Sequence, residues 1–227
     1  MAKVLFGQGI TDISGSIAGN TFSRNRGGSY IRRKGQPTNP DTPAQQAARA
    51  IVSAFSQNWR NLTQAQRDAW NGATGNFPFN DRLGQQRFLS GEQLYVRLNS
   101  TLAAVGLAPI TAPPIPGAIP NAAVSGVTVE VGTTTFDITL TDPSNAFTLQ
   151  VFATPPLSPG IEYVKQRYKQ IAAVTGGGGS PIDVWSDYIA VYGVPPVGTK
   201  VFSKVVVVAN ASGLSASGSS GDAIVSA

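Results

Sequence analysis

Seven residues near the N-terminus combine positive charge with aromatic surface. They are Phe22, Arg24, Arg26, Tyr30, Arg32, Arg33 and Lys34. Cations of this kind neutralise phosphates or carboxylates, and aromatic rings stack on bases or fill protein interfaces. The cluster therefore predicts a partner-binding surface. Because five charges are few and no known nucleic-acid motif surrounds them, we favour an acidic protein surface over nucleic acid as the partner.

The rest of the composition argues against catalysis. The chain has no cysteine and no histidine, which removes disulfides, cysteine nucleophiles, histidine-based triads and the usual zinc sites. The carboxylates nearest Trp185 are Glu162, Asp183 and Asp187, and their spacing does not place them together in a cleft. We therefore predict a protein that is not an enzyme, with no catalytic residue, no cofactor and no metal ligand.

The charge distribution indicates binding between proteins. Only 13% of the 227 residues are charged, about half the usual share of roughly 25%. The net charge is +6 in residues 1–70, +1 in residues 71–121 and −2 in residues 122–227. A basic front and an acidic back suit contacts between copies in a symmetric assembly, and we predict a homo-oligomer within one.

No run of apolar residues approaches the ~20 needed to span a membrane, and the first residues lack the apolar core of a signal peptide. The sequence therefore predicts a soluble protein made in the cytoplasm, with no membrane partner.

Residues 1–41 are predicted to form an extended basic arm that contains a β-hairpin. Its strands are residues 20–24 and 29–33, and Asn25 to Gly28 supply the turn. Phe22, Tyr30 and Ile31 are its large apolar residues. So little apolar surface makes an isolated hairpin unstable, and the arm is expected to need a partner surface.

Residues 42–105 are predicted to form a small helical unit. Thr42, Thr63 and Ser90 are each followed three residues later by glutamine, which predicts three capping boxes. The helices are expected at residues 43–60, 64–71 and 91–105. Residues 106–121 hold five prolines and predict a semi-rigid linker.

Residues 122–227 are predicted to form a C-terminal β-domain. Phe136, Ile138 and Leu140 alternate with polar residues, and about seven short runs of this kind are separated by turn residues. One predicted strand is the run Tyr188–Tyr192. The pattern is typical of an immunoglobulin-like or fibronectin-III-like sandwich, and the missing disulfide favours the fibronectin-like form. The whole chain is thus predicted to be mixed and β-rich.

Three motifs carry a more specific resemblance. Residues 15–22 read GSIAGNTF, residues 39–46 read NPDTPAQQ and residues 62–70 read LTQAQRDAW. In this order they resemble a family of tailed-bacteriophage and prophage proteins with a GSxxGxxF arm, an NPxTxxQ helix start and an LTxxQRxAW helix. Members often continue into a fibronectin-like β-domain. The resemblance implies a virion structural protein and supplies no catalytic residues.

Three hypotheses about function follow. The first is a non-enzymatic capsid decoration or cement protein that binds the major capsid protein through its arm and helices and is located in the virion. The alternative is a tail, neck or baseplate component that binds other virion proteins. A second alternative is a nucleic-acid-binding protein that uses Arg24 to Lys34, whose affinity would fall steeply with salt.

Overall fold

The computed structural model describes residues 2–3, 7, 9–10, 13–35, 38–81, 83–117, 123–141, 146–175 and 179–227. In these ranges the strands pair into four antiparallel sheets, accompanied by four α-helices. The predicted mixed, β-rich class is confirmed.

The N-terminal segment forms a sheet of four strands, which we call the N-terminal sheet. Its strands are β1 (Ala2–Lys3), β2 (Gly15–Ile17), β3 (Asn20–Asn25) and β4 (Gly28–Arg33), in the order β1-β4-β3-β2. The predicted hairpin is present as β3–β4, and β2 and β1 extend it on either side. The β2–β3 turn has φ +45° at Ala18 and +84° at Gly19, the two positive values that a tight two-residue hairpin turn needs.

Three helices form the next unit: α1 (Pro43–Asn61), α2 (Gln64–Ala73) and α3 (Gly91–Ala104). All three begin where the sequence predicts, and their ends differ by one or two residues. A 3₁₀ turn (Thr74–Asn76) and a small hairpin of β5 (Phe79–Asn80) and β6 (Gln86–Arg87) connect α2 to α3. The unit is built around Tyr95, whose ring lies 5.4 Å from Trp70 and 5.6 Å from Trp59 between centroids.

Local hydrogen bonding explains the helix starts. Thr63 with Gln66 and Ser90 with Gln93 form complete capping boxes. The predicted third box is only half formed. Thr42 Oγ1 accepts from the Gln45 amide, but the Gln45 side-chain oxygen has no hydrogen-bond partner among the described residues. Asp41 instead stabilises the start of α1 by forming an ion pair of 3.0 Å with Arg49.

The described part of the predicted linker, residues 106–117, lies on the helical unit. Asn99 of α3 is buried and forms two hydrogen bonds with the Ile110 backbone. Its Oδ1 accepts from the Ile110 amide at 2.7 Å, and its Nδ2 donates to the Ile110 carbonyl. Trp70 Nε1 donates to the carbonyl of Thr111 at 2.9 Å. Residues 118–121 of this linker are outside the described residues.

Two sheets face each other in the C-terminal unit, here called the sandwich. Strands β7 (Val124–Glu130), β8 (Thr135–Leu140) and β11 (Ile182–Asp183) form one sheet in the order β11-β8-β7. The other sheet has the order β10-β9-β12-β13. Its strands are β9 (Phe147–Ala153), β10 (Lys169–Thr175), β12 (Lys200–Ala209) and β13 (Ser219–Ile224). The apolar sides of both sheets form one core that includes Phe136, Ile138, Leu149, Val151 and Val205.

One predicted strand is wrong. The run Tyr188–Tyr192 belongs to a helix, α4 (Trp185–Tyr192), between β11 and β12. A short apolar run has no periodicity of its own, and here the helical spacing puts Tyr188 and Tyr192 side by side, with ring centroids 5.3 Å apart. Asp183 Oδ1 accepts from the Trp185 amide at the start of the helix, and Gly193 with φ +77° follows its end.

The sandwich contacts the helical unit at the turn between β12 and β13. Gly213 is buried, has φ +69°, and lies so close to α3 that a Cβ atom there would overlap the Leu98 carbonyl oxygen. The next residue, Leu214, packs against the core of the helical unit. Gln170 in β10 adds a hydrogen bond of 3.1 Å to the Ala104 carbonyl.

Candidate assembly interface

The N-terminal sheet has almost no interior. From residue 13 to residue 35 no side chain is buried, and none of these residues belongs to either hydrophobic core. Phe22, Tyr30 and Ile31 are half-buried within the sheet itself. Small antiparallel sheets normally cover one face with a second layer, and the described residues place no such layer on either face of this one.

The strand register divides the predicted site between the two faces. Residues directly opposite each other on paired strands point to the same side. Phe22 is opposite Ile31, Asn20 is opposite Arg33 and Arg24 is opposite Ser29. We call this side the Phe22 face. It carries Ile17, Phe22, Arg24, Ile31 and Arg33.

The other side, which we call the Tyr30 face, is more polar. Tyr30 is opposite Ser23, and Arg32 is opposite Thr21. Ser16 and Thr21 share a hydrogen bond of 3.0 Å across β2 and β3 on this side. The sequence correctly located the hairpin, but it did not show that Phe22 and Tyr30 point in opposite directions.

The last two predicted site residues lie at the ends of the hairpin. Arg26 is in the β3–β4 turn, where Asn25 Oδ1 accepts from the Gly27 amide at 2.9 Å. Lys34 follows β4, and its amide donates to the Gly19 carbonyl at 2.7 Å, which continues the strand ladder by one residue. Lys34 is therefore two residues beyond Arg32 on the Tyr30 face.

A second charged surface, which was not predicted from the sequence, lies on the outer side of sheet β11-β8-β7. We call it the acidic face: Glu130, Asp137 and Asp183, one carboxylate on each strand. Asp137 is directly opposite Asp183, and Thr128 is opposite Asp137 on its other side. The alternation of Phe136 and Ile138 with Asp137 could have indicated it, because whatever alternates with core residues points outward.

The carboxylates of the acidic face repel one another. Partial burial raises the pKa of Asp137 above its ordinary value, and the negative charges of Asp183 and Glu130 raise it further. Asp183 has a structural role in addition, because its Oδ1 accepts from the amides of Phe136 at 3.0 Å and Trp185 at 2.9 Å. No ion pair among the described residues involves these three carboxylates.

Within the described ranges, no group of three or more acidic side chains has an arrangement suited to a metal ion. Among the helices described, none is long and apolar enough to cross a membrane. The chain matches no protein-family model, no curated protein and no solved structure. The two charged surfaces and the uncovered N-terminal sheet are therefore the observations on which function has to be argued.

Proposed function

We propose that this protein is a non-enzymatic structural protein of a tailed-phage virion, a capsid decoration or cement protein that binds the major capsid protein. The N-terminal sheet and the exposed part of α1 would make this contact. The observation that carries the proposal is a folded sheet whose apolar side has no cover among the described residues of its own chain.

The Phe22 face has the composition of a protein interface. An aromatic ring and isoleucines at the centre, with arginines beside them, are the residue types that are enriched in interfaces and their hot spots. Ile17 is 61% exposed, and Phe22 and Ile31 each retain a smaller exposed fraction. Burying these side chains against a partner would add about 1 kcal/mol or more each, which a sheet without a core needs.

The first turns of α1 offer a second contact region. Only from Ile51 onward does α1 pack against the core of the helical unit, and Ala47, Ala48 and Val52 are exposed. Asp41 and Asn39 both accept hydrogen bonds from Arg49, which holds the residues just before α1 against the helix. A capsid surface that binds the sheet would therefore meet the start of α1 next to it along the chain.

The sandwich is proposed to be fibronectin-III-like and to point away from the capsid. A three-stranded sheet in the order β11-β8-β7 facing a four-stranded sheet in the order β10-β9-β12-β13 supports this assignment. Helix α4 is an addition between β11 and β12. The resemblance to phage proteins in residues 15–70 supports the virion location.

The experiment that tests the proposal is quantitative mass spectrometry of gradient-purified particles, normalised to the major capsid protein. A copy number equal to that protein or a simple lattice fraction of it is the expected result. A few copies per particle would contradict a decoration role and favour the tail or neck, and absence from particles would overturn the proposal.

A variant pair connects copy number to the Phe22 face. Phe22→Ala with Ile31→Ala should reduce the copies per particle at least tenfold. Val197→Ala with Ile224→Ala is the matched control, since it truncates two exposed apolar side chains of the sandwich. Particles that keep the first variant at full occupancy would show that this face is not the capsid contact.

A further inference from the structure

We propose that the Tyr30 face of one copy binds the acidic face of a second copy, so that copies join head to tail. This inference deepens the proposed assembly function and rests on it. It assigns a partner to each side of the N-terminal sheet: the virion lattice on the Phe22 face and a neighbouring copy on the Tyr30 face.

Repulsion within the acidic face lowers the stability of the single chain. Like charges directly opposite each other on neighbouring strands are destabilising, and Asp137 and Asp183 are such a pair. Glu130 on the third strand adds to the repulsion felt by Asp137. Cations placed over this surface would relieve that repulsion, and none of the described residues that shift the Asp137 pKa is a cation.

The Tyr30 face provides matching cations. Arg32 and Lys34 are both exposed, and their spacing of two residues puts them about 7 Å apart along one side of the strand. The phenol of Tyr30 is in the same row and can donate a hydrogen bond. No acidic residue occurs between Asp12 and Asp41, so nothing in this segment of the sequence neutralises the cations.

The two surfaces also match in their other properties. Thr128 and Thr135 are on the same side as the acidic face, and Ser16, Thr21 and Ser23 are on the Tyr30 face. Both are polar sheet surfaces on which strands are about 4.8 Å apart. An arginine fork binds a carboxylate with two hydrogen bonds, which suits Arg32 against Asp137 or Glu130.

A second copy fits because every chain carries both surfaces. The contact joins different patches on the two copies, so it is heterologous and produces rings or open chains of copies. This is the kind of contact expected between neighbouring copies on a repetitive lattice. It is distinct from the Phe22 face contact and does not need the capsid to be present.

The test is a charge exchange measured by sedimentation velocity on the purified full-length protein after nuclease treatment. Arg32→Glu with Lys34→Glu reverses the basic surface, and Glu130→Lys with Asp137→Lys reverses the acidic one. Asp183 is left unchanged because its side chain accepts hydrogen bonds from two backbone amides. Lys165→Glu with Arg167→Glu is the control, with the same charge change at exposed sandwich residues.

We expect the wild type and the control to self-associate at about 50 mM salt and to dissociate as salt rises, since the Debye length shortens. Each reversed variant alone should self-associate at least about tenfold more weakly. An equal mixture of the two reversed variants, and a chain that carries both reversals, should regain association, which a misfolded variant would not do.

Two results would overturn the inference. One is a wild-type protein that stays monomeric at high concentration and low salt, or that associates only before nuclease treatment. The other is association that both reversed variants retain. Full capsid occupancy of the Phe22→Ala, Ile31→Ala variant, with normal self-association, would overturn the proposed capsid contact alone, so the two failures can be distinguished.

Discussion

The molecule contains two four-stranded antiparallel sheets with very different surroundings. In the sandwich, sheet β10-β9-β12-β13 is covered by a second sheet, and Leu149, Val151 and Val205 are each 1% exposed. In the described part of the chain, the N-terminal sheet β1-β4-β3-β2 has no second layer and buries no side chain between residues 13 and 35. Both have paired strands, so strand pairing alone does not distinguish them.

On general energetic grounds, covering a sheet should contribute more to its stability than pairing its strands does. A fully buried apolar side chain contributes about 1.5–3 kcal/mol, and net hydrogen-bond contributions are smaller because water competes for the same groups. The sandwich therefore has a large apolar core of its own, whereas the described residues give the N-terminal sheet none.

The largest expected difference comes from the same substitution in both regions. Phe136→Ala removes a ring with no exposed surface, and the cavity should lower the free energy of unfolding by about 3–5 kcal/mol. Phe22→Ala in the uncovered sheet should lower it by less than about 1 kcal/mol in the isolated protein. Urea unfolding followed by circular dichroism measures both. Equal losses would show that the N-terminal sheet has a core after all.

A smaller effect is expected where the sandwich meets the helical unit. Gly213→Ala adds a methyl group against the Leu98 carbonyl in a left-handed backbone conformation, and we expect a loss of about 2–4 kcal/mol. Gly198→Ala is the matched control, because Gly198 has φ +82° but no atom near its Cβ position. It should cost about 1 kcal/mol. Comparable losses in the two variants, by calorimetry, would argue against a close contact at Gly213.

Alkaline pH should affect the sandwich through Tyr188. Burial raises the pKa of this tyrosine, with a further contribution from Tyr192, and its hydroxyl donates to the Thr154 carbonyl at 3.2 Å. Because the folded-state pKa is above the unfolded value of about 10, the stabilising contribution is complete below pH 10 and is lost as the pH rises beyond it.

Tyr188→Phe tests this pH dependence. The variant should be about 1 kcal/mol less stable than the wild type at pH 8, and the deficit should shrink by pH 11. Val205→Ala, which removes buried surface without a titratable group, should keep a constant deficit. A constant deficit for Tyr188→Phe as well would contradict the assignment. Urea unfolding at each pH provides the free energies.

The smallest effect is expected in a turn of the N-terminal sheet. Ala18→Gly relieves a left-handed φ of +45° at a residue with a side chain and should stabilise the β2–β3 turn by up to about 1 kcal/mol. Ala173→Gly, at an exposed position of β10, should instead cost about 0.5–1 kcal/mol. Hydrogen exchange of the nearby amides reports both. The same sign for both substitutions would contradict this account of the turn.

Local chemistry made several elements predictable. Each capping box is formed entirely by groups within four consecutive residues, so α2 and α3 begin where expected. The two boxes are Thr63 with Gln66 and Ser90 with Gln93. The alternation of Phe136, Ile138 and Leu140 was sufficient to identify β8. The hairpin β3–β4 was predictable because Asn25, Gly27 and Gly28 favour the turn.

Elements whose partners are distant in sequence were not predictable in the same way. The run Tyr188–Tyr192 forms a helix because its tyrosines pack against the sandwich core. In addition, Asp183 on β11 accepts a hydrogen bond from the Trp185 amide at the start of this helix. The carboxylates of the acidic face are far apart in the sequence and become neighbours only through the pairing of β7, β8 and β11.

The sequence by itself determined the basic cluster, the helix starts, the β-rich class and the charge difference between the two ends of the chain. All of these depend on residue types or on bonds within a few residues. The tertiary structure decided which side of the N-terminal sheet each cation occupies, which carboxylates meet, and that no other described element covers this sheet. Those features depend on strand register and on layers brought together over long sequence distances, where one residue of shift would move every side chain to the opposite face.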